Sequence, residues 1–270
     1  MQGDNELMIE LDISNKEYRD RPAISSSDVK AAAKSLAHWK GAERKETTAF
    51  DIGTAFHELC LEPHKKSIIC GPENRLGKRW KEAKEEADAA GQLLLTSGDY
   101  NKAKAMSEAA LSNQKLFDLI YADDALIEAS IFVQDPETGL QLKTRPDCYV
   151  KSKKVCLDLK STVDAGPGDR DFPAQLWKYK YDLQAAFYRH CCQLAGLPVA
   201  YFCFAATEKV SPYATCLHMV DEEVLQFAHE KMMNILRRIA KAEKEGVYST
   251  DWPEINIIRL PEWMKHDDKE

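Results

Sequence analysis

Two acids and a lysine stand close together in RPDCYVKSKKVCLDLKST, residues 145–162. Asp147 lies on one apolar run and Asp158 and Lys160 on the next. In KVCLDLKS the side chains alternate, so Val155, Leu157 and Leu159 share one face and Cys156, Asp158 and Lys160 the other. Residues two apart on a strand are roughly 7 Å apart at the backbone, close enough to converge on one small group such as a phosphate and its metal. Mg²⁺ takes oxygen ligands, keeps several waters and commonly accepts only one or two protein carboxylates beside substrate phosphate. Such an ion polarises a scissile phosphate and lowers the pKa of a water, while a lysine positions that water or offsets the charge building on the phosphate. Burial depresses the Lys160 pKa and the two aspartates raise it, so its protonation state is open at this point. Acid-x-Lys on a solvated sheet face has the same pattern, so the triplet alone is a weak signal.

These residues need a frame. ALIEASIFVQ, GLQLKTRPDCYV and KVCLDLKS are rich in aliphatic and β-branched residues and are joined by DPETG and KSKK, which predicts three sequential antiparallel strands. A short connection then brings Asp147 alongside Asp158. Before them, ISSSDVKAAAKSLAHWKG predicts one helix capped at Ser25 to Asp28 and ended by Gly41. AFDIGTAFHELCLEP predicts a second helix, residues 71–98 a loop plus an exposed helix, and DYNKAKAMSEAALSNQKLFDLI another helix. After them come the loop VDAGPGDRDFP, a long helix from about Pro173 to Ala195, strands in VAYFCFAAT and YATCLHMV, and a final helix in DEEVLQFAHEKMMNILRRIAKAEKEG. The fold class is α/β, a central mixed β-sheet flanked by helices. It forms a single domain over 1–270, with a helical part (24–120), a sheet and helix core (125–220), a C-terminal helix (221–246) and a tail (247–270).

Two helices add candidates. Gly53 and His57 lie one turn apart, which lets a backbone approach at Gly53 and presents an imidazole from the same face. Gln184 and Tyr188 are also four apart, and Trp177 and Tyr181 extend that stripe. A hydrogen-bonded histidine and an aromatic face packed on the sheet are the plainer readings of each.

Composition sets limits. The chain has 270 residues and a net charge of −7, which argues against indiscriminate coating of nucleic acid but does not report a local cleft. No apolar run approaches the roughly 20 residues that span a bilayer, and the acidic start MQGDNELMIELD is unlike a signal peptide, so no membrane partner and a cytoplasmic location are expected. The eight cysteines form no Cys-x-x-Cys pair and read as buried free thiols. The acidic ending HDDKE reads as a disordered tail.

Taken in order, Gly-x-x-x-His, Pro-Asp, Asp-x-Lys and Gln-x-x-x-Tyr resemble the PD-(D/E)xK (restriction-endonuclease-like) nuclease superfamily and its RecB-like branch. With ISSSDVKAAAKSLAHWKG and GTAFHELCLEP, the chain is similar to the nuclease domain of RecE-type exonucleases (exonuclease VIII) from about Ile24 to Tyr188. The resemblance implies that Asp147, Asp158 and His57 bind metal, Mg²⁺ with Mn²⁺ as substitute, that Lys160 is catalytic, and that Gln184 and Tyr188 border the active site. Glu128 is a possible further acid or a solvated edge residue. Ser25 and Ser26 are candidates to hold a 5′ phosphate, with simple capping as the alternative. Arg21, Lys30, Lys34, Arg145, Lys178 and Lys180 are candidates for phosphate contacts.

The implied function is a Mg²⁺-dependent exodeoxyribonuclease that degrades the 5′-ended strand of linear double-stranded DNA without sequence specificity. Its 3′ single-stranded tails would serve an annealing recombinase (RecT-like), and it would work as a ring-shaped homo-oligomer, in a prophage setting and excised from a longer chain. Two alternatives stay open: an endonuclease or structure-specific nuclease on the same fold, and a non-catalytic DNA-end or protein-binding module.

Overall fold

A computed structural model describes residues 8–41 and 48–260. In chain order the elements are β1 (Met8–Glu10), α1 (Asn15–Asp20), α2 (Ser26–Ala32), α3 (Leu36–Lys40), α4 (Thr48–Leu61), β2 (Ile68–Cys70), α5 (Lys78–Ala89), β3 (Leu93–Leu95), α6 (Ser97–Leu111) and α7 (Gln114–Ile120). They continue with β4 (Ala125–Ile127), β5 (Ser130–Gln134), β6 (Gln141–Thr144), β7 (Cys148–Val150), β8 (Val155–Thr162), α8 (Phe172–Lys178), α9 (Tyr181–Leu194), β9 (Tyr201–Glu208), β10 (Thr215–Val220) and α10 (Glu222–Glu245).

The centre is a five-stranded sheet of order β10-β9-β8-β7-β4, mixed because β8 and β9 run parallel and the other neighbours antiparallel. The parallel pair needs a crossover, and α8 and α9 provide it. Period-two patterning of β8 splits the core. Val155, Leu157 and Leu159 pack with α4, α6 and α7 residues such as Phe56, Met106 and Leu116, whereas Cys156 packs with α2, α9 and α10 residues such as Val29, Phe187 and Leu236. Two helical layers therefore cover the sheet, the sandwich that the pattern of elements predicts.

Several expected elements are broken, each for a local reason. Two short helices, α2 and α3, replace the single one because Ser35 takes extended backbone and accepts the His38 amide as a new N-cap. Asn113 does the same between α6 and α7, accepting from the Leu116 amide. The small parallel pair β2-β3 was not predicted, since three-residue runs carry too little periodicity to register. The long helix from Pro173 breaks where Lys180 adopts a left-handed φ of 54°, between α8 and α9. All eight cysteines are free thiols and six are buried, while Cys70 is exposed.

The most consequential break is in the first hairpin. Each of its two predicted strands divides, so that β4 and β7 join the central sheet while β5 and β6 pair with each other and with β1 in a second, three-stranded sheet. Pro146 lacks the amide needed to continue the ladder, and Glu128 turns its strand through a positive φ of 49°. The hairpin thus bends at Glu128 on one side and at Arg145 to Asp147 on the other.

The N-terminal segment is tied to the bend at long range. β1 adds to β5, and the buried Lys143 of β6 donates to the carbonyl oxygens of Tyr18, Arg19 and Arg21 at 3.0, 2.9 and 2.6 Å. The acidic ending HDDKE lies outside the described residues. Among the described residues no helix is long and apolar enough to cross a membrane.

Candidate active site

The bend places Glu128 and Asp147 side by side, with the Glu128 amide donating to the Asp147 carbonyl oxygen at 3.1 Å. From α4, on the other side, His57 brings its Nδ1 to 3.4 Å from Asp147 Oδ2. One ligand atom from each of His57, Glu128 and Asp147 lies within 4.8 Å of the others, a spacing that suits a single bound cation. Asp147 Oδ2 is itself fixed by the Leu159 amide of β8 at 2.6 Å, so the predicted proximity of Asp147 to the Asp158 strand is present.

Asp158 sits next to this group but not in it. It is buried, and its two oxygens are engaged separately: Gln184 Nε2 donates to Oδ2 at 2.6 Å, and Lys160 forms an ion pair with Oδ1. A relay continues from Gln184, whose Oε1 accepts from Lys30 Nζ of α2 at 2.7 Å. Lys30 and Lys160 both approach the Tyr181 ring, at 4.9 and 4.8 Å from its centroid. Tyr188, one turn beyond Gln184, is half-buried and packs on Phe202.

The electrostatics of the group favour a cation. Burial pushes Asp147 well above the usual carboxylate range, and the neighbouring Asp158 and Glu128 charges add to it. Burial raises Glu128 to about 7, with Glu62 contributing. His57 is lowered to about 4 by burial, which leaves its imidazole neutral and able to ligate at neutral pH. Burial lowers Lys160, but Asp158 and Asp147 more than offset it, so that in the metal-free protein it lies above the ordinary lysine value. For Lys30 burial and the Lys160 charge outweigh the attraction of Asp158 and Asp182, and it is lowered to about 7. Two carboxylates with raised pKa values beside a neutral imidazole form a donor set that fits Mg²⁺ or Mn²⁺.

A cleft of about 560 Å³ opens onto these groups. Its lining includes Gly53, His57, Glu128, Arg145, Lys160 and Tyr181. Gly53 does not enforce a close approach: a Cβ there would come no nearer than 3.8 Å to Ser161 Oγ. Residues 12–15 form a wall that the sequence did not reveal, because it reaches the cleft only through β1 pairing and through Arg145. Arg145 donates to Ser130 Oγ at 2.8 Å, Asn15 Oδ1 at 2.7 Å and the Ile13 carbonyl at 3.2 Å, over the Tyr18 ring at 4.3 Å.

The remaining phosphate candidates are spread out. Ser25 gives both its amide and its hydroxyl to Asp28, and Ser26 is buried, so the capping alternative occupies those donors. Arg21 is taken up by ion pairs with Glu10 and Glu17. Lys34 and Lys178 are exposed. Trp177 departs from the expected packing stripe: the break at Lys180 turns it outward, and it is 50% exposed.

A family model described as "PDDEXK-like domain of unknown function (DUF3799)" matches residues 23–261. No curated protein matches the sequence. Among solved structures, a "Putative exonuclease" from Eubacterium rectale superposes with a TM-score of 0.60 at 15% identity, over 97% of this chain and 95% of that one. At that identity the likeness speaks for the fold. A phage related exonuclease from Haemophilus somnus 129PT, at 14% identity over 86% of this chain and 100% of that one, gives a TM-score of 0.35, too loose to add to it. The family match spans the central sheet, the hairpin bend and the helix that carries Gln184, and by it the chain belongs to the family of PDDEXK-like domains of unknown function (DUF3799).

Proposed function

We propose that this protein is a metal-dependent exodeoxyribonuclease that degrades the 5′-ended strand of linear double-stranded DNA. The observation that carries the nuclease reading is the hairpin bend, which gathers His57, Glu128 and Asp147 within 4.8 Å beside the Asp158–Lys160 pair. The first three would hold a Mg²⁺ or Mn²⁺ ion. Such an ion supplies Lewis acidity toward a phosphodiester and acidifies a water.

The chain's own groups do the rest. Lys160 keeps its proton at Nζ and sets a positive charge beside the position where negative charge develops on phosphate. Asp158 holds that ammonium in place and is itself held by Gln184. Tyr188 packs on Phe202 at the border of the site, near enough to Asp158 and Asp147 for their charges to act on its hydroxyl. Arg145, pinned by three acceptors at the cleft wall, orients a backbone phosphate, and Lys34 and Lys178 contribute weaker, exposed contacts. These groups read phosphate rather than base edges, which supports cleavage without sequence specificity.

Polarity, the 3′ tails passed to an annealing recombinase, and a ring-shaped homo-oligomer rest on the resemblance to RecE-type exonucleases. A ring would give processivity to a chain of net charge −7, since an encircled duplex cannot diffuse away. The test is digestion of one plasmid as closed circle, as linear DNA with 5′ phosphate and as 5′-labelled linear DNA, with and without Mg²⁺, beside Lys160→Ala. Label release from linear DNA alone, lost with EDTA and in the variant, is expected. Cutting of closed circles would replace the exonuclease with an endonuclease, and inertness in every metal would sink the nuclease reading.

A further inference from the structure

The break between α8 and α9 leaves a distinctive surface. Trp177 and Tyr179 are 50% and 46% exposed, and the lysines 178 and 180 alternate with them. Among the described residues the Trp177 indole makes no hydrogen bond or ring contact. The segment is nonetheless fixed at both ends. Gln175, two residues earlier, accepts from Thr162 Oγ1 at the end of β8 and donates to the Asp164 carbonyl at 2.9 Å, and Phe172 is buried. On the far side Lys180 holds a φ of 54°, a left-handed conformation that is unfavourable for a residue carrying a side chain. That conformation would be dispensable if the chain simply continued as helix.

The rings lead to the cleft. Tyr179 and Tyr181 have centroids 5.7 Å apart, Lys178 Nζ lies 5.4 Å from the Tyr179 centroid, and Tyr181 lines the cleft under Lys160. Alternating aromatic and cationic side chains suit one class of occupant. Protein-binding patches are depleted of lysine, whereas single-stranded nucleic acid binds by stacking bases on exposed rings while cations follow its phosphates. In a chain of net charge −7, lysines interleaved with exposed rings make a local exception of the right sign.

We infer that Trp177 and Tyr179 form a stacking platform for unpaired nucleotides of a DNA strand at the edge of the cleft, with Lys178 and Lys180 on its phosphates. The inference rests on the nuclease reading only for the role of the strand, because the platform itself is a binding surface that works without hydrolysis. A strand frayed from a duplex end would be held there, base by base and without sequence preference.

The experiment is fluorescence anisotropy in EDTA with a labelled 15-nucleotide oligothymidylate and an abasic strand of the same length and charge. The wild-type protein should bind the base-bearing strand about 5- to 150-fold more tightly, the factor that corresponds to one stacked base. Trp177→Ala with Tyr179→Ala should remove that preference and leave abasic affinity within about twofold. Lys178→Gln with Lys180→Asn, the latter tolerant of positive φ, should weaken both strands and flatten the salt dependence. Equal wild-type affinity for the two strands, or an undiminished preference in the aromatic double variant with native thermal unfolding, would overturn the platform. Plasmid digestion by the wild-type protein separates the two ideas: no base preference in the wild type with digestion intact sinks the platform alone, and wild-type preference without digestion sinks the nuclease alone.

Discussion

Glu128 donates its backbone amide to the Asp147 carbonyl oxygen across 3.1 Å, so the two carboxylates of the candidate metal group are opposite sides of one hairpin bend. Positive φ at Glu128 and the missing amide at Pro146 make that bend. The two residues continue the register of Ile127 with Cys148 and Ile131 with Thr144, so they are cross-strand partners whose side chains share a face, and the bend interrupts the ladder at that pair. Strain and chemistry thus share a residue, the pattern expected where a site over-determines its backbone.

Asp147→Asn isolates the charge from the scaffold. The amide oxygen can still accept from Leu159, so the fold should survive, and removing a buried, repelled carboxylate should raise the metal-free melting temperature. The metal-induced rise, which follows ligand concentration over Kd, should vanish, and nuclease activity should fall by about 10²-fold or more. Thermal unfolding in EDTA and in millimolar MnCl₂ reads both; an unchanged Mn²⁺ shift in the variant would remove Asp147 from the metal group.

The pH dependence has a definite sign. Glu128 titrates near 7 in the folded chain, above its unfolded value, so the folded state keeps a proton that the unfolded state has lost and metal-free stability falls as pH rises toward 7. Asp147 acts in the same direction. His57, lowered to about 4, acts oppositely, because stability is lost as pH falls from its unfolded value toward 4. The two trends offset below about pH 6.5; above it the carboxylates lower stability until Lys30, lowered to about 7 in the folded chain, opposes them by adding stability as pH rises further. Metal-free unfolding should therefore lose stability from about pH 6.5 to 7, Glu128→Gln should flatten that loss, Lys30→Met should extend it to higher pH, and apparent Mn²⁺ affinity should increase over the same range. A flat wild-type profile in EDTA would contradict this.

Much of this site is legible in the sequence. Alternation on β8 sets Asp158 and Lys160 on one face, and four-residue spacing puts Gln184 on the face of α9 that meets Asp158. The hairpin that brings Asp147 to β8 follows from a short connection. What is hidden depends on breaks and long-range pairing. Glu128 reads as an edge residue because nothing in ALIEASIFVQ signals a positive φ. Trp177 reads as core because the helical period runs through Lys180 without a glycine or proline to stop it. Lys30 meets Gln184 across 154 positions, and residues 12–15 reach the cleft only after β1 has joined β5.

The Lys30–Gln184–Asp158 relay makes Gln184 a positioning residue with a preferred amide orientation. As an ammonium Lys30 can only donate, and Asp158 as a carboxylate can only accept, so together they fix Oε1 toward Lys30 and Nε2 toward Asp158. Lys30→Met keeps the length and removes the donor; kcat should fall by about 3- to 10-fold with KM little changed, in line with a net hydrogen bond of about 1 kcal/mol. Gln184→Glu should cost more, since it sets an anion 2.6 Å from Asp158, and its activity should recover partly at lower pH where the new carboxyl is protonated. A purely structural Gln184 would lower stability in both variants without that pH rescue.

Lys160 separates charge from catalysis most sharply. Its ammonium is the ion-pair partner of a buried aspartate, so Lys160→Ala leaves Asp158 without its counter-charge, and breaking a buried pair costs about 3–5 kcal/mol. Low activity in that variant would by itself be ambiguous. The double variant Lys160→Met with Asp158→Asn removes both charges, and its stability should return to within about 1–2 kcal/mol of wild type. Its cleavage should stay at least about 10²-fold down, the scale of losing one preorganised charge at the reacting phosphate. Recovered stability with recovered cleavage would show that the pair serves the fold alone, and would move the catalytic role away from β8.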